Sequence, residues 1–200
     1  MRKMLFVLLV LSLFAGVTQA GLITGVDRRN STRDPIEIAA DLQEDSLTFV
    51  DRTHEYNQVP AVLLGADYVK TANNDKSDGD VEIDVTLGSA CTLYLIVDNR
   101  VGGTDGGEGV NPDMSSKMTW VADLGFVDTG LDIGIDESGT GEIDQWSSLF
   151  SAEVAAATIT LLAQDDGGSR NNYGVAAVPE PATIALLGLG GLALIRRKRS

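Results

Sequence analysis

Asp136, Ser138, Thr140, Glu142 and Asp144 put oxygen-bearing side chains at alternate positions, with Gly141 sixth and Ile143 eighth in the run. Such a loop can wrap a hard cation in oxygens and turn sharply at the glycine, so the stretch is a candidate for a structural calcium ion. The twelfth position, where a bidentate carboxylate belongs, is Ser147. A plain acidic hairpin accounts for the same residues, and both readings stand. His54 is the sole histidine and sits among Asp51, Arg52, Thr53 and Glu55. An imidazole beside carboxylates can act as a general base. No Gly-x-Ser-x-Gly elbow or zinc-ligand helix accompanies it, so it reads as a surface side chain. The run Gly102-Gly103-Thr104-Asp105-Gly106-Gly107 is glycine-rich but acidic and lacks lysine, which makes it a loop rather than a phosphate cradle. Carboxylates are so numerous that no pair stands out as a glycosidase dyad. Tyr56, Tyr68, Trp120, Trp146 and Tyr173 could stack on a sugar, although packing in a core is the commoner use of such rings. No residue is assigned a catalytic role, and the chain is not expected to be an enzyme.

The elements that would have to position these groups read as strands. Val81-Glu82-Ile83-Asp84-Val85-Thr86-Leu87 alternates strictly between apolar and polar, the pattern of a half-buried strand. Residues 92–97 are apolar on both faces, as a central strand would be. Further strands are expected at 46–50, 61–64, 118–121, 132–135, 158–162 and 173–178. Turn residues separate them at 73–80, 102–107 and 165–168. A short helix over 35–44, capped by Asp34 with Pro35 at its first position, is the clearest exception. Residues 147–157 suit either a helix or a strand. Residues 21–33 look polar and frayed. The whole predicts one all-β domain over 21–178, an antiparallel β-sandwich or jelly roll, flanked by a short N-terminal signal helix and a C-terminal hydrophobic helix.

Charge narrows the partners. The chain carries 15 basic and 29 acidic residues, for a net charge of −14. Six of the basic residues lie at the two extremities, which leaves nine against 28 acidic ones between Gly21 and Val178, a net of −19. A surface of that sign repels nucleic acid and anionic lipid, and suits cations, neutral sugars or simple solubility. Cys91 is the only cysteine, so no disulfide forms within the chain, and its apolar surroundings point to a buried thiol.

Both ends carry sorting information. Arg2 and Lys3 precede an apolar stretch that ends at Thr18-Gln19-Ala20, the order of a secretory signal cut by signal peptidase between Ala20 and Gly21. At the other end Pro179-Glu180-Pro181 breaks the chain. Residues 182–195 are fourteen apolar or small residues, and Arg196, Arg197, Lys198 and Arg199 follow them. As a helix the fourteen would span about 21 Å, short of the ~30 Å hydrocarbon core. The basic cluster would hold the end on the cytoplasmic side as a membrane stop signal. The physics is that of a weak, transient inner-membrane anchor with a cuttable kink outside it.

These three parts, in this order at the very end of the chain, resemble the PEP-CTERM sorting signal. That segment is also named the ice-binding protein C-terminal domain, but the flat threonine rows that ice binding needs are not found in the domain. The resemblance implies a Gram-negative-type bacterium, processing by an exosortase, and delivery to the cell surface or an exopolysaccharide matrix. Within the domain, residues 93–100, Trp120, Gly125-Phe126-Val127-Asp128-Thr129-Gly130, Phe150-Ser151 and 157–161 resemble accessory β-sandwich modules of bacterial polysaccharide-degrading proteins. This second resemblance implies a galactose-binding-like topology and carries no catalytic residue across. Taken together, the expected protein is an exported surface or matrix component with a non-catalytic, glycan-binding or structural sandwich. An adhesin or lattice subunit and a carbohydrate-active enzyme are the alternatives.

Overall fold

The computed structural model describes residues 21–180. Ten strands build two antiparallel sheets: β1 (Ile23–Arg29), β2 (Glu37–Ala39), β3 (Glu55–Asn57), β4 (Asp67–Lys70), β5 (Glu82–Leu87), β6 (Cys91–Asp98), β7 (Val127–Asp136), β8 (Gln145–Val154), β9 (Thr158–Leu162) and β10 (Gly174–Pro179). The smaller sheet has the order β1-β5-β9 and the larger the order β2-β4-β10-β6-β8-β7-β3. The fold is thus the expected all-β sandwich, with a strongly curled larger sheet.

The alternation read in β5 does its work here. Val81, Ile83, Val85 and Leu87 point into the space between the sheets, against Leu93, Leu95 and Val97 of β6, Phe150 of β8 and Val175 of β10. β6 is buried along its whole length. Its other face, with Tyr94 and Ile96, packs with Leu149, Ala176, Ile133 and Ile135 under Leu42, Tyr56 and Leu63 from the 40–66 segment. Burial on both faces is why residues 92–97 show no alternation. Cys91 lies at 0% exposure opposite Val154 and Pro179. Burial pushes its thiol up to about 11, which keeps it protonated and inert.

Five local expectations are corrected. Residues 46–50 form no strand, only isolated bridges from Leu47 to Glu55 and from Phe49 to Thr71. Residues 21–33 are not frayed: β1 pairs with β5 from Ile23↔Leu87 to Arg29↔Glu82. Its charges read as solvated, yet Arg29 clamps Glu82 and Asp84, and Arg28 reaches the buried Asp75 at 2.7 Å. Residues 35–44 hold no helix. Glu37–Ala39 is an edge strand on β4, and the chain then turns at Asp41, whose φ of 61° no right-handed helix accommodates. Residues 61–64 form a tight turn between Pro60 and Gly65, burying Leu63 and leaving Val62 and Leu64 exposed. Residues 118–121 lead into a single helical turn, α1 (Trp120–Asp123), which plugs one end of the core through Met118, Trp120 and Val121. The ambiguous 147–157 stretch is β8 and its following turn.

Candidate functional site

The registers sort the molecule into two ends. β6 starts at Cys91, opposite Pro179 of β10, and finishes at Asp98 beside Ser147 of β8. The loops that carried chemical interest all lie at the Asp98 end: 71–80, 99–118, 137–144 and 163–173. The two ends where processing is expected, Gly21 and Pro179, lie at the Cys91 end. Gly21 and Leu22 share a groove of about 240 Å³ with Ala40, Asp41, Gly65, Asp67, Ala177 and Pro179. Asp67 holds the N-terminal segment there by accepting the amides of Leu22 and Ile23. A second groove of about 290 Å³, on the other side of Pro179, is lined mainly by apolar groups of Val62, Leu64, Ala66, Tyr94 and Val178.

β10 explains why the exit point is fixed. It runs between β4 and β6, pairing from Val175↔Val69 to Ala177↔Asp67 on one side and from Gly174↔Ile96 to Pro179↔Cys91 on the other. β4 stops short of Val178, so Pro179 sits where its missing N–H disturbs no ladder on that side. At the far end of the strand Gly174 leaves no room for a Cβ against the Tyr56 hydroxyl. Pro179 and Glu180 are half-buried. The strand thus reaches one residue past the domain boundary expected at Val178. Ala20, Pro181, the apolar run 182–195 and Arg196 to Arg199 lie outside the described residues. Among the described residues no helix is long and apolar enough to cross a membrane.

At the opposite end a buried ionic network ties the loops together. Asp98, at 1% exposure, accepts the Arg100 amide at 2.8 Å, the Arg100 guanidinium at 2.5 Å and the Asn171 amide at 2.6 Å. Glu137 receives Arg100 at 3.2 Å and Asn171 Nδ2 at 2.8 Å. Burial alone works against the Arg100 charge, but Asp98 and Glu137 more than restore it. These carboxylates are spent on holding loops, which leaves them poor candidates for acid–base chemistry.

The acidic stretch has the bonding of a self-closed hairpin. Asp136 accepts the amides of Ser138, Gly139 and Gly141 at 2.8, 2.6 and 2.6 Å, and the Ser138 hydroxyl at 3.1 Å. Burial would raise its carboxyl, yet these donors outweigh burial and hold it down at about 2. Asp144 accepts the amides of Glu137 and Ser138. Ser138 and Thr140 bond each other at 2.9 Å, and Glu142 stands exposed. Ser147, the twelfth position, lies in β8 opposite Asp98, away from the loop. Amide donors thus point at the oxygens that a calcium ion would need. Among the described residues, no three His, Cys, Asp or Glu side chains are grouped to hold a metal.

Of the aromatic candidates, Tyr56, Tyr68, Trp120 and Tyr173 are buried in the two cores. Trp120 and Tyr173 pack edge to face at 5.7 Å, and Trp120 donates its ring N–H to the Ala163 carbonyl. They serve packing rather than a sugar-stacking platform, and only Trp146 is partly open. His54 is half-buried against Phe49, with Nδ1 buried and without a partner. Burial, with Arg52 and Lys76 nearby, holds its pKa below the usual 6.5. The unfolded chain therefore binds the proton more readily than the folded one. The histidine's contribution is complete above pH 6.5 and is lost as the pH falls through the folded value. An NMR titration of this single imidazole is expected to give a midpoint below 6.5, with thermal stability falling from pH 7 toward pH 5. A midpoint at or above 6.5 would contradict its burial.

Comparison with known proteins agrees with this division. The PEP-CTERM protein-sorting motif matches residues 177–199, so its first three residues are the last three of β10. A β-glucuronidase from glycoside hydrolase family 2 shares the fold at a TM-score of 0.58 and 15% identity, over 76% of this chain and 14% of that one. A GH138 enzyme targeting pectin rhamnogalacturonan II aligns at a TM-score of 0.44 and 10% identity, over 80% and 17%. The chain therefore spans only about a seventh of the first enzyme, and the likeness is one of fold. No curated protein sequence matches. The sorting motif identifies an exported protein with an exosortase-type processing partner, directed to the cell surface.

Proposed function

We propose that this is a surface or exopolysaccharide-matrix protein, cut at Pro179–Pro181 by an exosortase, whose mature sandwich is a non-catalytic structural module. The observation that supports this most is the placement of the two processing points. Gly21 and Pro179 line one groove at one end of the sandwich. A chain held by a signal segment at one terminus and a sorting tail at the other would present that single end to the membrane. The loops rich in carboxylates, 71–80, 98–113, 136–144 and 163–166, would then point away from anionic headgroups, the orientation that like-charge repulsion favours. At the polar end the buried carboxylates Asp75, Asp98 and Asp136 are all engaged by cations, hydroxyls or amides. That favours a scaffold over a glycosidase, which needs two carboxyl groups free to face a scissile bond. The matrix destination and the sugar-active fold neighbour make neutral polysaccharide the first ligand class to try.

The reading is tested in the native host with Glu180→Ala. The expected result is loss of the surface form and accumulation in the inner-membrane fraction, with the domain still folded. Unchanged delivery of the variant would overturn the processing role of the motif. Release of reducing ends from polysaccharide by the purified wild-type protein would overturn the non-catalytic reading.

A further inference from the structure

Beneath the glycine-rich loop, four oxygens converge from four separate segments. Ser148 of β8 is fully buried, as is Asn99, which follows β6. The Ser148 hydroxyl oxygen lies 2.7 Å from Asn99 Oδ1, 2.9 Å from Asp132 Oδ1 of β7 and 3.4 Å from Asn111 Oδ1. The orientation of each amide is set from behind. Asn99 Nδ2 donates to the Gly107 carbonyl at 2.9 Å, and Asn111 Nδ2 donates to Asp128 at 2.6 Å, so in both residues the oxygen is the atom turned inward. Asp128 is itself fixed by the Gly130 amide at 2.8 Å, and the second oxygen of Asp132 by the Gly109 amide.

One hydroxyl proton serves three acceptors here. A serine hydroxyl has one proton to give and faces three acceptors. When it bonds to Asp132, the fully buried Asn99 Oδ1 is left aimed at another oxygen with no proton between them. When it bonds to Asn99, the carboxylate is left so. Close oxygen pairs without protons repel, and a cation among them removes the repulsion. Oxygens that share one calcium ion at 2.3–2.6 Å stand about 3 Å apart, comparable to the 2.7, 2.9 and 3.4 Å that separate the Ser148 hydroxyl from its three neighbours. This differs from the hairpin at Asp136, where every close donor is an N–H or O–H.

We propose that Asn99, Asn111, Asp132 and Ser148 form a binding site for a hard divalent cation, calcium, with Asp128 orienting Asn111. One carboxylate with three neutral oxygens makes a weak site, with a Kd of about 10⁻⁴–10⁻³ M, the range of extracellular modules. Binding would pin the loop that carries Gly102 to Gly109 onto β7 and β8, so the cation acts on the polar end of the sandwich.

The test is a thermal melt of the full chain with and without about 10 mM Ca²⁺. The melting temperature is expected to rise by about 3–10 °C. Asp132→Asn is expected to abolish the rise, and Asp144→Asn, in the hairpin, to leave it intact. Asn111→Ala, an exposed position, serves if Asp132→Asn fails to fold, and should weaken calcium at least about tenfold. Terbium, excited through Trp146 about 7 Å away along β8, reads the same site directly. No rise and no terbium luminescence in the wild type would overturn the proposal. So would a rise lost in Asp144→Asn but kept in Asp132→Asn, which would place the ion in the hairpin.

Discussion

A chain ending after Tyr173 is expected not to fold, whereas a chain ending after Glu180 unfolds at the same temperature as the full sequence. β10 is not a terminal fringe. Val175, Ala176 and Ala177 are all at 0% exposure, and the strand fills the gap between β4 and β6. Removing it uncovers both cores and leaves two rows of backbone N–H and C=O groups without partners inside a sheet. Burying one valine contributes roughly 1.5–3 kcal/mol, and each buried backbone group left unpaired costs about 1–3 kcal/mol. Several such losses exceed the 5–15 kcal/mol typical of a whole domain. The check is circular dichroism and a thermal melt of both truncations. A cooperative melt in the shorter one would show that β10 is dispensable, and that the sorting cut could fall well inside it.

The second large effect is at Asp98. Replacing it by alanine leaves Arg100, whose side chain is 14% exposed, with only its 3.2 Å contact to Glu137. The Asn171 amide loses its acceptor as well. Breaking one side of a buried pair costs about 3–5 kcal/mol, equivalent to a fall of about 6–20 °C in melting temperature for a domain of this size. Lys117→Ala, which removes an exposed 3.5 Å contact to Asp165, should change stability by less than about 1 kcal/mol. Equal effects of the two substitutions would mean that the Asp98 network does not hold the polar loops.

How much of this could be read from residues alone depends on how local each signal is. β5 declares itself by alternation and β6 by its apolar run, because one is buried on one face and the other on both. The sorting motif is legible because its recognition is linear. β1 is not, because Arg28 and Arg29 look solvated until Asp75, Glu82 and Asp84 are brought across from distant segments. The apolar turn at 61–64 imitates a strand in composition, and only the bend between Pro60 and Gly65 decides otherwise. The acidic run at 136–144 shows cation-like spacing, yet its oxygens face their own backbone. The oxygens that share a single proton belong to Asn99, Asn111, Asp132 and Ser148, which only the β7–β8 pairing and the glycine-rich loop bring together.

On the proposed reading, a folded sandwich ending with β10 is released from its sorting tail. The intact mass of the protein recovered from the surface fraction of its native host tests this most directly. The expected species begins at Gly21 and ends between Pro179 and Pro181, retaining all of β10. A surface species that still carries Arg196 to Ser200 would contradict it, and would make the tail a permanent anchor instead of a signal.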